Sequence, residues 1–117
     1  MSERRSEIYD DLPAGLRAQA DLTGSREYLW PPEAARDAIR WLADRNAAIA
    51  VVEQYGQRGQ ARGQFIREWQ VSSQGKDEDW ESYVRRAARA AEAAVEAASA
   101  ESGGNGERFF FAVANPS

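Results

Sequence analysis

The sequence predicts an α+β domain, a small and mainly antiparallel sheet of three or four strands packed against two or three helices. Three observations carry that reading. Two segments with the helical period, "PPEAARDAIRWLADRN" and "DEDWESYVRRAARAAEAAVEAASAE", enclose two short alternating runs, "AAIAVVEQYG" and "QFIREWQVSS". A Gly-rich polar tract, "GQRGQARG", joins those runs as a hairpin connection would. A third apolar run, "ERFFFAVANP", follows the second long helix. The expected order is helix, helix, strand, strand, helix, strand.

The chain has 117 residues, enough for one domain. Residues 1–24 read as a peripheral N-terminal segment, and residues 25–117 as a single α+β domain. In the first segment Pro13 and Gly15 interrupt any helix, while Ile8, Leu12 and Leu16 sit four apart and give it one apolar face.

The first long helix has a defined start, because Pro31 and Pro32 suit a first turn whose N–H groups have no helical partner. Ala35, Ala38, Ile39 and Leu42 then fall on one face, Trp41 at its edge, and Asn46 is the expected stop. In the first strand Ile49, Val51, Glu53 and Tyr55 share one face, opposite Ala50, Val52 and Gln54. In the second, Phe65, Arg67, Trp69 and Val71 alternate with Ile66, Glu68 and Gln70.

Asp77 or Asp79 caps the last helix. Its stripe, Trp80, Tyr83, Val84, Ala87, Ala88, Ala91, Ala94, Val95 and Ala98, is large at its start and almost all Ala afterwards. No heptad seam of Leu or Ile persists, so it is not a coiled coil. "SGGNG" ends the helix. Three consecutive Phe in the last strand imply burial on both faces, as in a central strand.

Composition narrows the chemistry. Hydrophobic residues make up 43% of the chain, but 22 of them are Ala, so Trp, Tyr and Phe must supply much of the core volume. The net charge of −4 disfavours a phosphate backbone, whose binding rests on clustered Lys and Arg. The Gly-Arg tract fails as a phosphate loop, since no Lys followed by Ser or Thr completes it. There is no Cys and no His, which removes thiolate chemistry, the commonest general base and the commonest zinc ligands. The first residues, "MSERRSEIYDDLP", lack the apolar stretch of a signal peptide, and "AAIAVV" is too short to span a bilayer. The expected location is the cytoplasm, with neither nucleic acid nor membrane as partner.

Four groups of residues carry candidate chemistry. The carboxylates of Asp77, Glu78 and Asp79 have the oxygens a hard cation prefers, but lack the Gly and distal Glu of a calcium loop, and capping accounts for them. Glu53 and Glu68 lie on strands expected to pair, as a catalytic carboxylate pair would. No nucleophile motif or cofactor loop accompanies them, so no catalytic residue, cofactor or metal is assigned. Arg85, Arg86 and Arg89 read as a solvated face, with Glu81 four residues before Arg85. Tyr55, Arg67 and Trp69 belong to the residue types that dominate interface energetics. With Glu53 and Glu68 they form the expected partner-binding surface.

These segments also carry a resemblance. "YLWPPEAARDAIRWLADRNAAIAVVEQY", "REWQVSS" and "DWESYVRRA" together resemble a class of small bacterial immunity proteins of polymorphic toxin systems, over Tyr28 to Ala114. In that class a first strand carries Leu-Gly-Gly-Asp/Glu-Val-aromatic, a second strand carries Trp, and a helix opens on Trp-x-x-Tyr/Phe-Val/Leu. Here Val51 and Val52 stand in place of the Gly-Gly pair. By position Glu53 matches the acidic site, Tyr55 the aromatic and Trp69 the strand Trp. The resemblance implies a non-enzymatic protein that binds and blocks one toxin, and an acidic surface suits a basic toxin domain. The alternative is a small self-associating interaction or regulatory module, a homodimer through its exposed sheet edge. A carboxylate-based enzyme ranks third.

Overall fold

The computed structural model describes residues 7–22, 28–58, 61–102 and 106–114. A 3-10 turn at Glu7–Asp11 leads into the short helix α1, Ala14–Gln19. Strands β1, Asp21–Leu22, and β2, Tyr28–Leu29, pair with each other. Helix α2, Pro32–Asp44, precedes the hairpin of β3, Ile49–Arg58, and β4, Ala61–Gln70. Helix α3, Trp80–Ser102, and strand β5, Arg108–Val113, complete the order. The main sheet is antiparallel with strand order β4-β3-β5, which makes this an α+β fold as expected. Helix α2 packs on α3 and against β5, and α3 packs against β3.

Local chemistry explains the helix ends. Pro32 opens α2 at the first helical position, where a missing N–H costs nothing. The end of α2 is a left-handed cap. Asn46 takes φ 62°, its N–H donates to Ala43 O at 2.9 Å, and Ala47 N–H donates to Leu42 O at 2.9 Å. Asn tolerates this conformation better than most residues, because its short polar side chain bonds locally. Asp79 caps α3, its Oδ1 accepting from Ser82 N–H at 2.7 Å, and this bond holds the Asp79 carboxyl below its usual range.

The expected faces largely form the core. Ala34, Ala35, Ala38, Ile39 and Leu42 of α2 are buried, and so are Tyr83, Val84, Ala87, Ala91, Ala94, Val95 and Ala98 of α3. Small Ala side chains let α3 lie close, and the volume they leave is taken by aromatics. Trp30, Phe109, Phe110 and Phe111 are all fully buried. Trp30 stacks on Tyr28 and on Phe111, with ring centroids 5.9 and 6.2 Å apart.

Two expectations need correction. The strand with three Phe is not the central one; β3 is. Phe109 nevertheless has backbone neighbours on both sides, because Trp30 and Phe109 exchange N–H···O bonds of 2.9 and 2.8 Å beyond the ladder with β3. The hairpin is also longer than the Gly-rich tract suggests. Pairing continues past Gly56 to Arg58 opposite Ala61, and residues 59–60 lie outside the described residues. The tract contains no Pro, and two register shifts along β4 absorb its extra residues.

The segment set apart as residues 1–24 contributes core in its described part. Tyr9, Leu12 and Leu16 are buried, and Ile8 packs partly against them. The Tyr9 hydroxyl donates to Phe111 O at 2.5 Å, and Trp30 Nε1 donates to Leu16 O at 2.9 Å. These bonds satisfy the polar tips of two buried aromatics and fasten the segment to β5 and to Trp30. Burial raises the Tyr9 hydroxyl pKa well above its ordinary value. Closure of the C-terminal strand by Pro116 and most of the "SGGNG" stop fall outside the described residues. The last Gly of that stop, Gly106, does take a left-handed φ of 80°.

Candidate partner-binding site

The β3–β4 register decides what the five expected contact residues can do. Glu53 lies opposite Glu68, Gln54 opposite Arg67, Val52 opposite Trp69, and Tyr55 opposite Phe65. Directly opposed residues share a face, so Glu53, Tyr55 and Glu68 occupy one side of the sheet and Arg67 and Trp69 the other. The five residues therefore do not form one patch.

Burial divides them further. Glu53 and Tyr55 are only 4% and 8% exposed, and the Tyr55 hydroxyl donates to Glu53 Oε1 at 2.6 Å. That bond compensates a carboxylate withdrawn from water and held opposite a second one. Neither residue presents a surface to a partner in this conformation. As a carboxylate pair, Glu53 and Glu68 are opposed as expected, but one is buried and the other exposed.

Arg67 is occupied within the molecule. Its Nε donates to Gln54 Oε1 at 2.9 Å, its guanidinium pairs with Glu101 of α3, and it lies 4.6 Å from the centre of the Trp69 ring. This clamp ties β4 to the last turn of α3 and fixes the Trp69 indole beneath a cation. Trp69 is half-buried, and Glu68 is exposed, its carboxylate accepting a side-chain bond from Gln70 at 3.0 Å.

The solvent-facing apolar surface lies on two residues outside that set. Among the described residues Phe65 and Ile66 are the exposed large hydrophobics, 50% and 37% exposed. They are consecutive on β4, the outer strand of the sheet. A register shift between Gln54 and Tyr55 leaves Ile66 without a ladder partner. Phe65 rests edge-on against Tyr55, with centroids 5.7 Å apart. Ile66 lies over Gly56, where a Cβ would stand 2.5 Å from Ile66 Cδ1. Glycine at that position makes the seat for Ile66. One signal in the sequence points to this pair. In an alternating strand two consecutive apolar residues cannot both face the core, and Phe65-Ile66 is such a pair beside a Gly-rich tract.

The basic patch on α3 divides as well. Arg85 and Arg89 are exposed, but Arg86 turns back on the loop after β4. It donates to both carboxylate oxygens of Glu78, at 2.9 and 2.8 Å, and to Ser72 O and Ser73 O at 3.2 and 3.0 Å. The Arg86 guanidinium pushes the Glu78 pKa down to about 2, assisted by the Gly75 N–H. Among the described residues no three His, Cys, Asp or Glu side chains stand together as metal ligands, and no helix is long and apolar enough to cross a membrane.

Comparison of the chain with protein-family models, with curated proteins and with solved structures returned no match.

Proposed function

We propose that this chain is a protein-binding domain whose contact surface is the outer strand β4, centred on Phe65 and Ile66. The observation that carries the reading is the position of those two side chains. A chain with few large aliphatic residues leaves two consecutive large apolar ones in solvent on its outermost strand, the aromatic Phe65 against Tyr55 and the branched Ile66 over Gly56. Large apolar side chains left in solvent on an edge strand are candidate contact points for a partner. Farther along the same strand Trp69 is half-buried under Arg67, and Glu68 presents an exposed carboxylate.

The resemblance to immunity proteins supplies the finer form of the proposal, an inhibitor that binds one toxin and occludes it without chemistry of its own. The net charge of −4 favours a basic partner and speeds its encounter. Self-association through β4 is the second reading, because no strand pairs with its outer side among the described residues. The two register irregularities along β4 weigh against that reading, since bulges twist an edge away from continuous pairing.

The test is affinity capture from the source cells with the wild-type chain and with Phe65→Ser/Ile66→Ser, followed by identification of what is bound. The proposal expects one stoichiometric, basic protein, lost in the double variant, whose activity the wild-type chain blocks. A chain that returns only itself as a dimer contradicts the heterologous reading and establishes the second. Capture that the double variant leaves intact removes β4 as the surface.

A further inference from the structure

A groove of about 470 Å³ opens where the C-terminal end of α2 meets the start of α3, on elements separate from the β4 surface. That volume is within the range of small-molecule sites, about 300–1,000 Å³. Its apolar lining is Ala43 and Val84, and its polar rim is Asp44, Asn46, Glu81 and Arg85. The two walls are fixed to each other. Trp80 Nε1 of α3 donates to Asn46 O at 2.8 Å, and Asn46 is itself held in the left-handed cap of α2. The groove is therefore set before any ligand arrives.

Its charges are uncommitted. The side chains of Asp44, Glu81 and Arg85 make no hydrogen bond or ion pair among the described residues, although Glu81 and Arg85 have the i,i+4 spacing that usually pairs. Arg85 acts within the fold only through space, helping to lower the Asp79 pKa. Asp44 also occupies an unfavourable position. It ends α2, where the free carbonyls already concentrate negative charge, and no basic residue lies in that turn. Arg45, the next residue, is engaged elsewhere, paired with Asp11 at 2.9 Å and lying over Trp41. A carboxylate placed against its own helix dipole, in a groove lined by a second carboxylate, breaks a local rule. Such breaks concentrate at functional sites.

We propose that this groove binds a free basic α-amino acid, lysine or arginine. Arg85 takes the ligand's carboxylate, a geometry for which a guanidinium is suited. Asp44 and Glu81 take its two cationic groups, the α-ammonium and the side-chain cation. The aliphatic stem lies along Ala43 and Val84. Two carboxylates and a helix C-terminus against one guanidinium leave the groove net negative, which matches a ligand carrying two positive charges and one negative.

The experiment is a titration of the isotope-labelled full chain with L-lysine, cadaverine and L-norleucine at constant ionic strength, followed through backbone amide shifts. Cadaverine lacks the carboxylate and norleucine lacks the side-chain cation. The proposal expects saturable shifts confined to residues 43–46 and 81–85 with lysine, and binding of each analogue weakened about tenfold, the value of one charge-assisted contact. Arg85→Gln is expected to abolish the preference for lysine over cadaverine, and Glu81→Gln to weaken lysine about tenfold. Shifts that do not saturate, that lie elsewhere, or that are equal for lysine and norleucine overturn the proposal. The ligand series on the wild-type chain decides it even where a variant perturbs the fold. Neither outcome bears on the β4 surface.

Discussion

Both carboxylate oxygens of Glu107 are buried, and neither has a hydrogen-bond partner among the described residues, although the residue is only 2% exposed. An unsatisfied buried acceptor costs about 1–3 kcal/mol, so replacing this side chain by an apolar one of similar length relieves a cost and removes no bond. Glu107→Met is expected to raise stability by about 1–3 kcal/mol in urea unfolding; a loss of stability would show that the carboxylate has a partner in solution. A second residue-scale prediction concerns Gly56. A Cβ there meets Ile66 Cδ1, the far end of a partly exposed side chain that is able to swing aside. Gly56→Ala is therefore expected to change stability by less than about 0.5 kcal/mol while weakening partner capture, because Ile66 loses its seat. Strong destabilisation would instead place Ile66 in the fold's own packing. At this scale the sequence was readable where chemistry is local. Asn46 as the stop of α2 and Asp79 as the cap of α3 follow from side chains that satisfy nearby backbone groups. Burial of Glu53, Tyr55 and Glu107 was not readable, because it depends on what other elements lay over them.

The elements show the same division. Helical periodicity identified the buried stripes of α2 and α3, since a 3.6-residue repeat leaves only one way to face a core. The consecutive apolar pair on β4 was visible in the sequence, but its exposure depended on a register shift, which no alternation pattern reveals. It moved Ile66 out of the ladder and placed Arg67 opposite Gln54. The role of Arg86 was equally hidden, because its partner Glu78 lies eight residues away, before the helix begins. That pair fastens the loop after β4 to α3 and gives stability a pH dependence. The folded-state pKa of Glu78 is depressed from 4.5 to about 2, so its contribution is fully present above the unfolded value and is lost as pH falls from about 4.5 towards 2. Melting temperatures of the wild type and of Arg86→Gln, followed from neutral pH downward, should differ above that window and converge within it. A difference that persists unchanged to the acid end would mean that the Glu78–Arg86 pair does not contribute as described.

For the molecule as a whole, an Ala-rich chain obtains its core from aromatics brought together by topology. Tyr9, Tyr28, Trp30, Phe110 and Phe111 come from three separate segments and meet at centroid distances of 5.9 to 6.2 Å. The α+β class and the β3–β4 hairpin were legible from pattern, whereas the place of β5 and this convergence were not, since the latter joins the N-terminal segment to the last strand across the length of the chain. With the aromatics spent on the interior, Phe65 and Ile66 stand out as apolar groups left in solvent. The central claim, that they form the contact surface, is tested most directly by calorimetric titration of the captured partner with wild-type chain and with Phe65→Ser/Ile66→Ser, the fold of each checked by its melting curve. The account predicts an unchanged fold and an affinity reduced at least about a hundredfold, as for loss of a central apolar hot spot. Equal affinities from two equally folded chains would contradict it.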